Sequence, residues 1–561
     1  MKDYGRQPHR KTQKKKLNIP EYLSQLPDRQ LYKQTLDSFA IPEQVQELVL
    51  KQIIEISGNT EFGRKHHFQL IKTIEDYRKL VPISEWADYD AYSDRMAEGE
   101  PDILFPGNPE FFLKTSGTTS AKPKLIPESK LGAAAKHIVT RLRLVEMALN
   151  FPGILESGYI IPLPNSSAQS KTSSGIPVGF ASGFTLNQSM EGGQAARIAF
   201  PVAVLSNGDS ESRDYLIMRF AMQHPDVVGI FGNNAGRIKE LVEFAANHAD
   251  EIINDIEIGT VSGAKSIDSA VMKKIEVLLT PDQSRADELR LFKKQTGTLL
   301  PKDYWPSMQM LAFWLSSSVG QYIKEVRPIM PASAKFFDVG YGSSEAKFNI
   351  PSKPDNASGA LSLFTAFYEF IPEKGGDPLL VHQLEDGKMY ELIITTWSGL
   401  FRYNMKDMVK VQGYTGSTPN IVFLYKSGDI LNITDEKIPA SVVNEIIREI
   451  AETMGVNVVQ VQIFADEEER RYICYIEPKE ELNTEDATLL EQRVHEKMLS
   501  TIFTYEFFHV QQKLLNALKI VVMKKGWKDD LDAQRISAGL SLTQIKLPVI
   551  FRQKADNEWI K

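Results

Sequence analysis

Thr115-Ser116-Gly117-Thr118-Thr119-Ser120-Ala121-Lys122-Pro123-Lys124, directly after the apolar run Phe111-Phe112-Leu113, gathers hydroxyls, a glycine and two lysines into ten positions. That is the composition of a loop built to hold phosphates: hydroxyls donate to phosphate oxygens, glycine admits backbone N–H groups at close range, and lysine adds a point charge. The Gly-x4-Gly-Lys-Ser/Thr spacing of a P-loop is missing, so the reading points to a different nucleotide chemistry. The competing reading of such a cluster is a plain turn after a strand.

Two further segments bear on that choice. Tyr341-Gly342-Ser343-Ser344-Glu345 follows the apolar run Phe336-Phe337-Asp338-Val339 and offers an aromatic ring, a tight turn, two hydroxyls and a carboxylate. Leu400-Phe401-Arg402-Tyr403-Asn404-Met405-Lys406-Asp407 places an aspartate after a strand-like hairpin. In this order the three segments resemble the adenylation site of the adenylate-forming superfamily, to which firefly luciferase belongs. Within it the chain is identified as a member of the auxin-responsive Gretchen Hagen family of acyl acid amido synthetases. Further landmarks of that resemblance are Asn59-Thr60-Glu61-Phe62-Gly63-Arg64-Lys65-His66, Val81-Pro82-Ile83, Ala97-Glu98-Gly99-Glu100, Gln321-Tyr322-Ile323 and Tyr390-Glu391-Leu392-Ile393-Ile394-Thr395-Thr396. They extend from about residue 40 to the C-terminus.

The resemblance implies an α/β fold with a large N-terminal adenylate-forming domain and a smaller, mobile α+β C-terminal domain. It also implies roles for individual residues. Thr115, Ser116, Gly117, Thr118 and Thr119 would engage the phosphates, with Lys124 adding charge. Tyr341 is similar to the family's adenine-stacking aromatic, and Gly342, Ser343, Ser344 and Tyr403 belong to the nucleotide site. Ser541-Leu542-Thr543-Gln544-Ile545-Lys546-Leu547-Pro548 looks like the family's late glutamine-x-lysine-x-proline segment, so Lys546 is the lysine expected to neutralise the transition state. Lys426, before Ser427-Gly428-Asp429, matches a basic residue near the hinge.

Two carboxylates can be argued from chemistry. Glu345 is the candidate for Mg2+, a hard cation that takes oxygen ligands and relies on one or two carboxylates plus phosphates; the alternative is a surface glutamate in a turn. Asp407 can accept from both ribose hydroxyls; the alternative is an exposed acid paired with Lys406 or Lys410. For Lys546 the alternative is a solvated lysine. Three positions depart from the family pattern: Ala121 stands for a phosphate-loop glycine, Lys406 for the glycine before the ribose aspartate, and Ser317 for a glycine in the segment Ser316-Ser317-Ser318-Val319.

Bulk properties bound the rest. At 561 residues the chain exceeds one core, and 42% hydrophobic with 24% charged residues is ordinary for a soluble globular protein. A net charge of -7 argues against nucleic acid as a partner. The basic run His9-Arg10-Lys11-Thr12-Gln13-Lys14-Lys15-Lys16 has no apolar stretch after it, which predicts a solvated tail over residues 1–20 and no membrane association. Cys474 is the only cysteine; its strand-like surroundings predict a small core residue and its solitude excludes an intramolecular disulfide, in keeping with a cytoplasmic location. The nine histidines show no metal-ligand spacing, and His66-His67 read as structural or surface groups.

Along the chain, residues 21–415 read as the large domain and 416–561 as the lid, with a boundary in the Gly, Thr and Ser cluster from Gly413 to Thr418. Ile41 to Ile56 predicts a helix burying Val45, Leu48, Val49, Ile53 and Ile56. Leu379 to Leu384 and Met389 to Thr395, joined by Glu385-Asp386-Gly387-Lys388, predict a hairpin. Beyond Val411, strands at 422–425, 458–465, 471–476 and 518–523 and helices at 440–451 and 489–499 predict the small α+β domain.

The expected activity is ATP-dependent joining of a small carboxylic acid to an amine, above all an amino acid, through an acyl-adenylate, with ATP and Mg2+ as cofactors. Two alternatives stand beside it: a ligase passing the acyl group to a thiol such as coenzyme A, and a non-catalytic binder of a small acid or nucleotide.

Overall fold

A computed structural model describes residues 28–115, 124–156, 158–163, 170–179, 197–232, 235–316, 322–426, 430–537, 550–551, 554–555 and 557–561. The predicted tail, Ala121, Ser317 and the 541–548 segment lie outside these residues.

Two kinds of sheet build the larger part. A parallel sheet takes the strands Tyr159–Leu163, Val227–Gly232, Met310–Phe313 and Lys335–Asp338 in spatial order, the last two connections being helical and the first also carrying the strands Ser170–Lys171 and Pro177–Gly179 of another sheet. Their near-continuous apolar sequences, Met310-Leu311-Ala312-Phe313 above all, are what burial on both faces requires. One core, including Leu216, Ile230, Leu241, Ile252, Leu311 and Phe336, seals this sheet against its helices. The second sheet is antiparallel and six-stranded, in the order Ala366–Pro372, Met389–Thr396, Tyr403–Thr415, Thr418–Lys426, Gly359–Leu361, Asn349–Pro351. A smaller four-stranded sheet holds Phe111–Thr115 between Lys124–Glu128 and Pro177–Gly179.

The helix Pro42–Ser57 forms where predicted and buries Val49 and Ile53, with Val45 packed on the core, but its inward face is rotated from the expected one. Leu48 and Ile56 are exposed, while Gln46 is buried; its side-chain amide donates to the carbonyls of Leu363 and Ala366, and its oxygen accepts the Tyr368 N–H. A polar residue that satisfies three backbone groups of an otherwise open sheet end outweighs two aliphatic side chains at the rim.

The predicted 379–384 strand is instead a 3-10 turn, Val381–Gln383, in which the Leu380 N–H donates to the Gln383 side chain at 2.7 Å. Met389–Thr396 pairs with Ala366–Pro372 and with Tyr403–Thr415. The Gly413 to Thr418 cluster is the turn of a hairpin whose second strand, Thr418–Lys426, belongs to the six-stranded sheet, so the chain leaves that sheet only after Lys426. Composition marked a turn there, not a linker.

The C-terminal part packs helices Ala440–Thr453 and Thr484–Thr501 on a sheet ordered Lys519–Val522, Arg471–Pro478, Val458–Asp466, Ile550–Phe551. Its own core includes Val443, Ile447, Ile463, Cys474, Leu490 and Met498. Cys474 is fully buried, which pushes its thiol up to about 12 and makes it the small core residue expected. No described helix is long and apolar enough to cross a membrane.

Candidate active site

The strands Phe111–Thr115 and Lys124–Glu128 pair antiparallel, with Thr115 opposite Lys124. This register clamps the two ends of the hydroxyl-rich loop together; Ser116, Gly117, Thr118 and Thr119 themselves lie outside the described residues, and Thr115 is described by its backbone. Lys124 is buried. Its Nζ donates to the Tyr403 hydroxyl at 3.2 Å and lies 5.4 Å from the centre of the Trp86 ring.

Tyr341-Gly342-Ser343-Ser344-Glu345 turns back on itself: the Ser343 N–H donates to the Ala346 carbonyl, the Phe348 N–H to the Tyr341 carbonyl, and the Glu345 N–H to Ser343 Oγ. Two buried residues fix this turn from behind. Asn349 accepts the Tyr341 N–H at 2.8 Å and donates to the Ile421 carbonyl, while Arg143 donates to the carbonyls of Tyr341 and Asn349. The glycine this arrangement demands is Gly340, at φ +90, where any Cβ would collide with the Arg143 guanidinium. In front, Lys136 pairs with the fully buried Glu128 and donates to the Ser344 carbonyl at 2.5 Å, tying the end of the loop strand to the turn that carries Glu345.

Asp407 reaches the same place from the six-stranded sheet. Between Glu391 and Ile393 the pairing of Met389–Thr396 with Tyr403–Thr415 shifts register, and the extra residues of the latter strand form a bulge. Lys406 sits in this bulge at φ +55, the left-handed conformation that favours the glycine of the family pattern, and its N–H donates to Asn404 Oδ1. Its ammonium pairs with Glu85 at 3.0 Å, not with Asp407. Asp407 is buried, so the exposed-acid alternative fails.

The segments meet through two phenols. The Tyr341 hydroxyl donates to Asp407 Oδ2 at 2.5 Å; burial first, then the Asp407 charge, pushes this phenol well above its ordinary range. Tyr403 is raised by burial first and then by the charges of Glu345 and Asp407, and its hydroxyl accepts from Lys124. The Tyr341 ring packs against Phe348 and Phe423, at centroid distances of 4.5 and 5.2 Å. The adenine stacking that resemblance assigns to Tyr341 therefore has two rings to compete with.

One cation at this site escaped the sequence. Lys437, in the turn between Ile430–Leu431 and Ile438–Pro439, has a left-handed backbone at φ +48 and pairs with Asp435 at 2.6 Å. Burial pulls its ammonium down, but Asp435, then Asp407 and Glu345, hold it above its ordinary value. It belongs to the C-terminal part yet feels the charges of two carboxylates of the large one. No motif signalled it. Lys426 pairs through its backbone with Asp407, and Lys546 lies outside the described residues.

Residues 32–334 match the GH3 family N-terminal domain, 359–426 the GH3 family central domain and 441–555 the GH3 family C-terminal domain. The chain belongs to the GH3 family. Among GH3 relatives, it is 25% identical to the indole-3-acetic acid-amido synthetase GH3.4 of Arabidopsis thaliana, over 90% of this chain and 89% of that protein. It is 24% identical to the 4-substituted benzoates-glutamate ligase GH3.12 of the same plant, over 92% and 94%. The solved structure of the GH3.15 acyl acid amido synthetase superposes with a TM-score of 0.62 at 21% identity, covering 93% of this chain and 94% of that one. The fold is therefore that of the GH3 enzymes, a large N-terminal domain followed by a C-terminal one.

Proposed function

We propose that this GH3 chain is an ATP-dependent acyl acid amido synthetase: it activates a small carboxylic acid as the acyl-adenylate, releasing pyrophosphate, and transfers the acyl group to an amine, foremost an amino acid, releasing AMP. The observation that carries this reading is the meeting of Asp407, Tyr341 and Tyr403, within the field of Glu345 and Lys437, at the mouth of the clamped Thr115 to Lys124 loop.

The chemistry asks for what these residues offer. A carboxylate is a poor electrophile until one oxygen becomes part of a good leaving group, and bringing it to a triphosphate sets like charges against each other. Asp407 accepts from the ribose hydroxyls, and the Tyr341 hydroxyl fixes the rotamer in which it does so. Lys124, buried and held by Tyr403, presents fixed positive charge at the end of the phosphate loop, where preorganised donors cost no reorganisation as charge moves. Lys437 brings a second cation from the C-terminal part, and Lys546, outside the described residues, is the further lysine that the resemblance assigns to the transition state.

Glu345 fits a magnesium ion. Its carboxylate is buried against the nucleotide-facing turn, and among the described residues no cluster of three or more His, Cys, Asp or Glu side chains forms, so the remaining ligands would be phosphate oxygens and water, as this ion prefers. When bound there, such an ion would supply positive charge beside the phosphates.

Acid-dependent exchange of label between pyrophosphate and ATP tests the first half-reaction, and mass analysis of products with amino acids or coenzyme A tests the second. The amide is the expected product. A thioester would move the acceptor to a thiol, and ATP binding without exchange for any acid would leave only a binding protein.

A further inference from the structure

The helix Lys130–Asn150 turns one face, Lys136, Thr140 and Arg143, toward the hairpin that runs from Tyr341 to Asn349. Three cations gather between them. Lys136 is consumed by Glu128 and the Ser344 carbonyl, and Arg143 by the carbonyls of Tyr341 and Asn349. The third, Lys347, is different. Among the described residues its ammonium donates to one neutral group, Thr140 Oγ1, at 2.6 Å, and no carboxylate comes within ion-pair distance of it.

A half-buried lysine with no carboxylate beside it is costly, because the hydration it gives up is only partly repaid. Lys347 is also not sealed off, since part of its surface remains open. Its position is telling. It stands opposite Gly342 across the hairpin, on the arm returning from Glu345, and the hairpin continues directly from the carboxyl end of the parallel strand Lys335–Asp338. Ligands of open α/β sheets sit beyond those strand ends. An acid activated beside Ser343 to Glu345 would therefore lie against the hairpin that carries Lys347.

We propose that Lys347 and Thr140 form a subsite for a second anionic oxygen group on the acid, so that the preferred substrates carry a carboxylate or comparable anion besides the one that is activated. This rests on the synthetase reading above and adds a substrate class to it. The ammonium supplies the charge, Thr140 orients it, and Lys136 and Arg143 deepen the positive potential without being available themselves.

The test is acid-dependent ATP–pyrophosphate exchange with matched pairs: hexanoate against adipate, and benzoate against isophthalate and terephthalate. The wild type is expected to favour the better diacid of a pair by about tenfold or more in kcat/KM, the worth of one modest charge pair. Lys347→Met should erase or invert that ratio, Lys347→Arg should keep most of it, Thr140→Val should lower it, and KM for ATP should stay within about twofold throughout. Lys347→Met should also melt higher than the wild type, as removal of an uncompensated cation predicts. A wild type that prefers the monoacids, or a diacid preference that survives Lys347→Met, overturns the subsite while leaving the synthetase standing. Exchange absent for every acid, with ATP still bound, overturns both.

Discussion

Asp407 shows how much one side chain's surroundings decide. In sequence it is an acid between two lysines, Lys406 and Lys410, and a surface ion pair was the ordinary alternative. Buried and accepting from the Tyr341 hydroxyl, it is instead a preset acceptor. Asp407→Asn is expected to raise KM for ATP by roughly ten- to a hundredfold, the worth of a hydrogen bond to a charged group, and to narrow the discrimination between ATP and its 3′-deoxy analogue. An unchanged KM would remove Asp407 from the ribose role. Glu345, Tyr341 and Lys124 were singled out by type and order, and the structure brings Tyr341 to Asp407 and Lys124 to Tyr403. Lys437 was not, since the carboxylates that give it meaning lie far off in sequence and nothing about an Asp-Glu-Lys turn announces a left-handed backbone.

The elements around these residues were read with mixed success, and the failures share a cause. Helices and strands with strong apolar periodicity, such as Ala440–Thr453 and Arg471–Pro478, came out near their true bounds. Where polar groups govern, the reading slipped: Gln46 turned a helix, the Gln383 side chain made a 3-10 turn of a strand-like run, and a Gly and Thr cluster closed a hairpin inside a sheet. The bulge at Lys406 is the element on which the site depends most. Because its φ of +55 suits glycine, Lys406→Gly should keep activity and stay within about 1 kcal/mol of wild-type stability, the relieved left-handed strain offsetting a more flexible unfolded chain and a lost exposed ion pair. Lys406→Val, β-branched at positive φ, should lower the melting temperature and raise KM for ATP by shifting Asp407. Equal behaviour of the two variants would mean that the bulge does not aim the carboxylate.

Across the molecule, the two parts touch at points that sequence could not pair. Arg470, in the turn after Val458–Asp466, approaches Glu240 of the helix Ala235–Asn247 at 3.8 Å, and Lys114 lies over the Phe503 ring at 4.8 Å. Burial dominates at Glu240 and, despite Arg237 and Arg470, raises its carboxyl to about 8. The folded state therefore binds the extra proton between the ordinary carboxyl value, near 4.5, and about 8, so stability falls as pH rises through that window and is level above it. Glu240→Gln should remove this loss, melting above the wild type at pH 8 with the difference fading toward pH 4.5; a constant difference at all pH values would exclude Glu240 as the source.

The central claim, that this GH3 chain grips ATP between its phosphate loop, Glu345 and Asp407 and uses it to activate an acid, is met most directly by acid-dependent ATP–pyrophosphate exchange in the wild type and in Glu345→Gln. The expected result is exchange that requires both acid and magnesium in the wild type, and its loss by about a hundredfold or more in a folded Glu345→Gln, as removal of an electrostatic transition-state contact entails. Wild-type exchange that continues undiminished in that variant, or no exchange with any acid while ATP remains bound, would contradict it.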